Sequence, residues 1–88
     1  MFEEETQVAW QAMPQHAPVV ASDGSEIGTT ERLLGDLGDD IFHGIVIRRA
    51  DGEAVEIPAP RIKRITELHI VTDLEAGEAK ALPPYHER

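Results

Sequence analysis

The chain has 88 residues, with 8 Lys or Arg against 17 Asp or Glu, a net charge of −9 and no Cys. This length allows one domain with a modest core, and the missing Cys excludes disulfides, thiolate nucleophiles and Cys-based metal centres. The acidic balance disfavours DNA and RNA, whose phosphates it repels. The N-terminus is acidic where a signal peptide would be basic, and no apolar run approaches the roughly 20 residues that span a bilayer. We therefore expect a cytoplasmic protein that does not bind membranes.

Residues 1–12 form an N-terminal flanking segment that has two interpretations. Three consecutive glutamates, Glu3–Glu5, suit the first turn of a short helix, whereas Val8, Trp10 and Ala12 alternate as in a strand. Trp10 is the only tryptophan. A lone large aromatic side chain in such a segment is expected to pack, either within its own chain or on a partner.

Two Asp-Gly pairs, Asp23-Gly24 and Asp51-Gly52, predict tight hairpin turns. Glycine accepts a positive φ at no steric cost, which such turns require, and apolar, β-branched runs flank both pairs. The predicted strands around these turns are Pro18–Ala21, Ile27–Leu34, Ile41–Arg48 and Ala54–Ile57.

The chain after the second turn predicts one more strand and one helical turn. Leu68–Leu74 alternates as a fifth strand, with Leu68, Ile70, Thr72 and Leu74 on one face. Between the fourth and fifth strands, Pro58 and Pro60 exclude a central strand. Ile62 and Ile65 are three residues apart, which predicts one helical turn beginning at Pro60.

The strand Ile41–Arg48 is apolar on both faces, with Ile45 and Ile47 on one side and Phe42 and Val46 on the other. Either the sheet curls into a barrel whose outside is covered by a tail or a partner, or that outside is an interface. Glycines within and beside the strands are typical of the bends that a small barrel needs. The sequence therefore predicts an all-β fold, a small antiparallel barrel of five to six strands with one short helical turn and flanking terminal segments.

The order of these features resembles the PRC-barrel family. The most diagnostic pieces are Asp23-Gly24 followed by Ile27-Gly28, and the later step Ile57-Pro58 into a short turn. Thr29 departs from the pattern, since the family carries a valine-like residue there.

The resemblance covers residues 13–74, which we take as the domain, and leaves residues 1–12 and 75–88 as flanking segments. It implies a small β-barrel like those in the maturation factor of the small ribosomal subunit, in the photosynthetic reaction-centre H subunit and in stand-alone bacterial and archaeal proteins. It also implies that the domain has no catalytic role.

The residues themselves predict no enzyme and no catalytic, cofactor or metal site. The four histidines, His16, His43, His69 and His86, are too far apart for a local zinc motif. The acidic loop at residues 36–40 lacks the ligand order of a calcium loop. No glycine-rich phosphate loop and no nucleophile elbow occurs.

Candidate interaction residues are of two kinds, basic and aromatic. The basic stretch between Arg48 and Arg64 either forms a local patch or consists of solvated strand ends. The aromatic candidates lie in or next to the two flanking segments, apart from one on a strand. The candidate residues are Trp10, Phe42, Arg48, Arg49, Arg61, Lys63, Arg64 and Tyr85.

The function that we predict is a non-catalytic protein–protein interaction or adaptor module, working as a homodimer to which the chain ends contribute. The alternative is an RNA- or ribosome-associated factor that uses the basic stretch Arg48–Arg64. RNA is the less favoured partner because side chains that stack on bases are scarce.

Overall fold

The computed structural model describes residues 2–85, so Met1 and residues 86–88, His86 among them, lie outside the described residues. Its strands are β1 (Pro18–Val20), β2 (Glu26–Asp36), β3 (Ile41–Arg48), β4 (Ala54–Pro58), β5 (Ile62–Ile65) and β6 (Ile70–Thr72). The described part also contains three 3-10 helices, η1 (Trp10–Ala12), η2 (Ala59–Arg61) and η3 (Ala76–Ala81). None of the helices in this part is long and apolar enough to cross a membrane. The all-β class with six strands is as the sequence predicts.

The six strands form one sheet in the order β4-β3-β2-β1-β6-β5. The prediction of a purely antiparallel sheet is wrong at one pair, because β1 and β6 run parallel. The reason lies in the connection: β5 and β6 form an antiparallel hairpin, and its second strand inserts beside β1. The direction in which that hairpin returns makes the pair parallel and the sheet mixed.

The sheet is strongly curled. Its two end strands, β4 and β5, are joined by only three residues, Ala59–Arg61, and four Cα–Cα steps span at most about 15 Å. A flat sheet of six strands would separate its end strands by about 24 Å. Ile57 of β4 and Ile65 of β5 accordingly belong to the same core cluster. Between residues 2 and 85 no ladder joins β4 to β5, so the curl stops short of a hydrogen-bonded ring.

The core fills the inside of the curl with branched aliphatic side chains. Ile45 and Ile47 of β3 point inward, as the alternation predicts, and both are fully buried. The buried cluster consists of Val19, Ile45, Ile47, Val55, Ile57, Ile65, Ile70 and Leu74. Burying this apolar surface is the main stabilising contribution in a chain without disulfides.

Both Asp-Gly turns form as predicted. Gly24 has a φ of 88° and Gly52 a φ of 89°. These turns connect β1 to β2 and β3 to β4, which are antiparallel neighbours in the sheet.

A helical turn forms at Pro60 between the fourth and fifth strands, as predicted, and it is the 3-10 helix η2, Ala59–Arg61. Its predicted extension to Ile62 and Ile65 is wrong, since both residues lie on β5. The pairing of β5 with β6 shifts by one residue between Ile62 and Arg64. Such a bulge brings two residues three apart onto the same side of a strand, which explains the helix-like spacing.

The predicted fifth strand is shorter than expected and corresponds to β6, Ile70–Thr72. Ile70, Thr72 and Leu74 are fully buried, as the predicted inward face requires. Leu68 is 60% exposed instead, because it lies in the turn between β5 and β6.

The two flanking segments cover the two edges of the sheet. The Val8 amide donates to the Ile65 carbonyl and the Glu67 amide to the Thr6 carbonyl, each at 3.0 Å. At the opposite edge, residues 83–85 pair with residues 54–56 of β4 through two backbone hydrogen bonds of 2.9 and 3.0 Å. The N-terminal segment is therefore neither a regular helix nor a regular strand, and both segments pack within their own chain. Their backbone groups protect edges that would otherwise invite pairing with other chains.

Candidate functional site

A shallow groove lies between the N-terminal segment, β3 and β5. It has a volume of about 270 Å³, and its walls include two aromatic side chains, Trp10 and Phe42, and two basic ones, Lys63 and Arg64. Ile62 lies beside them. We call the surface formed by these five residues the aromatic groove. It brings together four of the eight side chains that the sequence predicts for interaction.

Trp10 reaches the groove because the chain turns there in η1. The Met13 amide donates to the Trp10 carbonyl at 3.2 Å and closes the turn. The indole stacks on the ring of Phe42, with ring centroids 5.3 Å apart and planes inclined by 13°. A Cβ at Gly35 would lie 3.2 Å from the indole, so the glycine leaves the room that the ring needs. The two rings together form one apolar wall.

The N-terminal segment is fixed beside the groove by a second cluster, which the sequence did not reveal. The Glu5 carboxylate lies 2.8 and 2.9 Å from Nδ1 of His69, and it accepts a hydrogen bond of 2.7 Å from the Thr66 hydroxyl. The ring of Phe2 stacks on the imidazole, with centroids 3.9 Å apart. The Glu5 and His69 side chains keep only about a fifth of their surface exposed. We call Phe2, Glu5, Thr66 and His69 the N-terminal anchor.

The anchor stabilises the charged form of the Glu5 carboxyl. The hydrogen bond from Thr66 lowers the pKa of Glu5 most, and the hydrogen bond and charge of His69 lower it further. Partial removal from water acts in the opposite direction but does not prevail. The carboxylate thus remains ionised over a wider pH range than a free glutamate.

Most of the predicted basic stretch is occupied by partners in its own chain. Both Nε and a terminal nitrogen of Arg48 donate to Glu31 at 2.8 Å, and this contact lowers the pKa of Glu31. Arg49 contacts Asp51 at 2.9 Å and also donates to the Ala79 carbonyl of η3. Both arginines are therefore engaged by acceptors of their own chain.

Arg61 is likewise used to hold η3. Its Nε donates to Asp73 at 2.6 Å, and a terminal nitrogen lies 3.2 Å from Glu78. These two carboxylates, Asp73 first, raise the pKa of Arg61. Arg49 and Arg61 together fasten the 3-10 helix Ala76–Ala81 to the sheet.

Lys63 and Arg64 differ from the other three cations because they line the aromatic groove. Lys63 makes no ion pair with any residue between 2 and 85, and its side chain is exposed. Arg64 lines the groove next to Lys63. The groove therefore has one basic rim above an aromatic wall.

Tyr85 lies outside the aromatic groove, where its amide donates to the Ala54 carbonyl of β4 at 2.9 Å. Its hydroxyl accepts a hydrogen bond of 2.9 Å from Arg32 on β2. Val46 lines the same surface depression as Tyr85 and Arg32 and is only 2% exposed, although it alternates with the inward-pointing Ile45 and Ile47. Val46 is therefore covered by the tail of the same chain, whereas Phe42 lies in the aromatic groove.

The aromatic groove can hold an apolar side chain against its rings while a carboxylate lies near its rim. None of the side chains within residues 2–85 form a group of three or more His, Asp or Glu that could hold a metal ion. The sequence indicated Trp10 and Phe42 by their size, but not that Ile62 lines the groove beside them or that Gly35 leaves room for the indole. Nor could it indicate the N-terminal anchor, because Glu5 and His69 are 64 residues apart.

No protein-family model matches the chain, and no curated protein matches it either.

Proposed function

We propose that this chain is a non-catalytic protein–protein interaction module, cytoplasmic and homodimeric, built on a curled sheet of the PRC-barrel type. The aromatic groove is its binding surface. Its occupant is an acidic segment that carries one exposed apolar side chain. The observation that supports this most strongly is the meeting of Trp10 and Phe42 with Lys63 at one surface, although they come from three separate parts of the chain.

The chemistry of the groove favours that occupant. Aromatic walls contribute binding energy through buried area, and apolar surface rimmed by charge is typical of interaction sites. Lys63 is exposed and makes no ion pair within the described residues, so it can attract a carboxylate. The order of the strands and the short link between β4 and β5 support the PRC-barrel relation, because a barrel of this size needs the same curl.

RNA is less well supported than an acidic protein segment. Three of the five cations in the basic stretch, Arg48, Arg49 and Arg61, are paired with carboxylates of their own chain. A strand of RNA at the groove would meet Lys63 and Arg64 only. Two phosphate contacts would give a slope of log K against log salt of roughly −1.4 on a single strand.

Fluorescence of Trp10 tests the proposal, because the only tryptophan of the chain lies in the groove. We would titrate the intact chain with a short acidic peptide that has one central leucine and no aromatic residue. We expect saturable changes in emission, and the same peptide with glycine in place of leucine should give none.

The matched variants are Lys63→Gln and Lys80→Gln, since Lys80 is the only other lysine and lies outside the groove. Loss of one surface ion pair should weaken binding about two- to fivefold for Lys63→Gln and leave it unchanged for Lys80→Gln. If oligouridine changes the emission of Trp10 with a slope of log K against log salt of roughly −1.4 or steeper, and the acidic peptide does not change it, the RNA alternative replaces our proposal.

A further inference from the structure

The turn between β2 and β3 presents apolar side chains to solvent. Three large apolar side chains of the described residues are strongly exposed, and two of them, Leu37 at 67% and Ile41 at 45%, lie at this turn. The turn also contains three carboxylates, Asp36, Asp39 and Asp40. We call residues 36–41 the acidic tip.

The acidic tip is held in one conformation by its own carboxylates. The Asp36 side chain accepts hydrogen bonds from the amides of Gly38 and Asp39, at 2.9 and 3.2 Å. The Asp40 carboxylate accepts one of 2.6 Å from Gln11, which follows Trp10 in η1. Hydrogen bonds of Asp36 and Asp40 therefore fix the backbone on both sides of Leu37. The tip then loses little conformational freedom when it binds.

The acidic tip has the chemistry that the aromatic groove requires. It offers one protruding leucine flanked by carboxylates, and the groove offers two stacked rings beside Lys63 and Arg64. We infer that the acidic tip of a second copy of this chain occupies the aromatic groove, with Leu37 on the wall of Trp10 and Phe42. This inference rests on the proposed function and names the partner of the same groove.

The positions of the two surfaces permit a reciprocal exchange. The hydrogen bond between Gln11 and Asp40 shows that the tip starts beside the groove of its own chain. Two copies related by a two-fold axis can therefore each place a tip in the groove of the other, forming two identical contacts in one closed dimer. Opposite charges then face each other across both contacts, since the tips are acidic and the groove rims are basic.

Sedimentation velocity of the intact chain and of two leucine variants tests the exchange. We expect the wild type to sediment as a species of twice 9.7 kDa at micromolar concentration. Leu37→Asp should raise the dissociation constant of the dimer at least about tenfold. Leu68→Asp is the matched control, because Leu68 is 60% exposed and lies in the turn between β5 and β6, outside the acidic tip. It should leave the dimer intact. Circular dichroism should show the wild-type sheet content in both variants.

A charge exchange gives a second, independent readout. Lys63→Glu and Asp39→Lys should each weaken the dimer, and the two changes together should restore it in part. A monomeric wild type at 100-fold higher concentration would overturn the inference, as would a dimer that Leu68→Asp dissociates and Leu37→Asp does not.

The proposed function is tested separately in the Leu37→Asp variant, whose groove no tip occupies. Binding of the acidic leucine peptide to that monomer would uphold the groove as a binding surface even if the wild type proved monomeric. Absence of any Trp10 response there would instead refute the proposed function, and the dimer contact at the groove with it.

Discussion

Replacing Gly35 with alanine tests how closely the wall of the aromatic groove is packed. A Cβ at this position would lie 2.5 Å from the Ile41 carbonyl oxygen and 3.2 Å from the Trp10 ring. The nearer neighbour is backbone of the paired strand, so it cannot move aside as a flexible side chain would. The ladder between β2 and β3 must shift, and the indole must shift with it.

The size of the effect follows from two opposing contributions. Overpacking of this kind costs about 1–3 kcal/mol. The alanine also reduces the freedom of the unfolded chain, which stabilises the fold by about 0.4–1 kcal/mol. We therefore expect a net loss of about 1.3 kcal/mol for Gly35→Ala, the middle of a range that reaches about 2.6 kcal/mol. The melting temperature should fall by about 4–8 °C for each kcal/mol lost.

Urea unfolding followed through Trp10 emission measures this loss and also reports the position of the ring. Gly77→Ala is the matched control, because no atom lies within 4 Å of the Cβ that it would add. It should be as stable as the wild type or slightly more stable. If Gly35→Ala unfolds at the wild-type midpoint with unchanged emission, the close contact between β2, β3 and Trp10 does not exist.

Two further predictions concern the core and the N-terminal anchor. Ile57→Ala should cost about 2–5 kcal/mol in urea unfolding, because Ile57 is fully buried. The exposed Glu53→Ala should change stability by less than about 0.5 kcal/mol, and equal effects would contradict the assigned core. Acid should weaken the anchor: the pKa of Glu5 is below its ordinary value of 4.5, since Thr66 and then His69 donate to it. Its stabilising contribution is complete above pH 4.5 and is lost as the pH falls through the lower folded-state pKa. Thermal melts against pH should show this loss in the wild type and not in Glu5→Gln.

Local patterns were enough to predict the strands that hairpins connect. Asp23-Gly24 and Asp51-Gly52 require nothing beyond neighbouring residues, and both turns form with positive φ at glycine. The inward face of β3 followed from alternation alone. The parallel pairing of β1 with β6 could not be predicted in this way, because it depends on where a distant hairpin inserts into the sheet.

Spacing was misleading where a bulge interrupts a strand. Ile62 and Ile65 have the separation of a helical turn. The shifted register of β5 also brings residues three apart onto one side, although the segment is a strand. The candidate site was predictable only by residue type. The size of Trp10 and the charge of Lys63 mark them as candidates. That the two line one groove, while Arg48 donates to Glu31 instead, depends on contacts between distant parts of the chain.

The order in which the chain is synthesised gives the edge-covering segments a further consequence. Residues 6–8 are made long before residues 65–67, with which they pair, so they have no native backbone partner while the central hairpins of β2, β3 and β4 form. Contacts between close neighbours form first, and closing a large loop comes later. A nascent chain that ends before residue 65 therefore lacks a complete β5, which is the edge strand that the N-terminal segment covers. In ribosome-stalled chains of increasing length, the Val8 amide should stay unprotected from hydrogen exchange until residues 65–67 have left the ribosome.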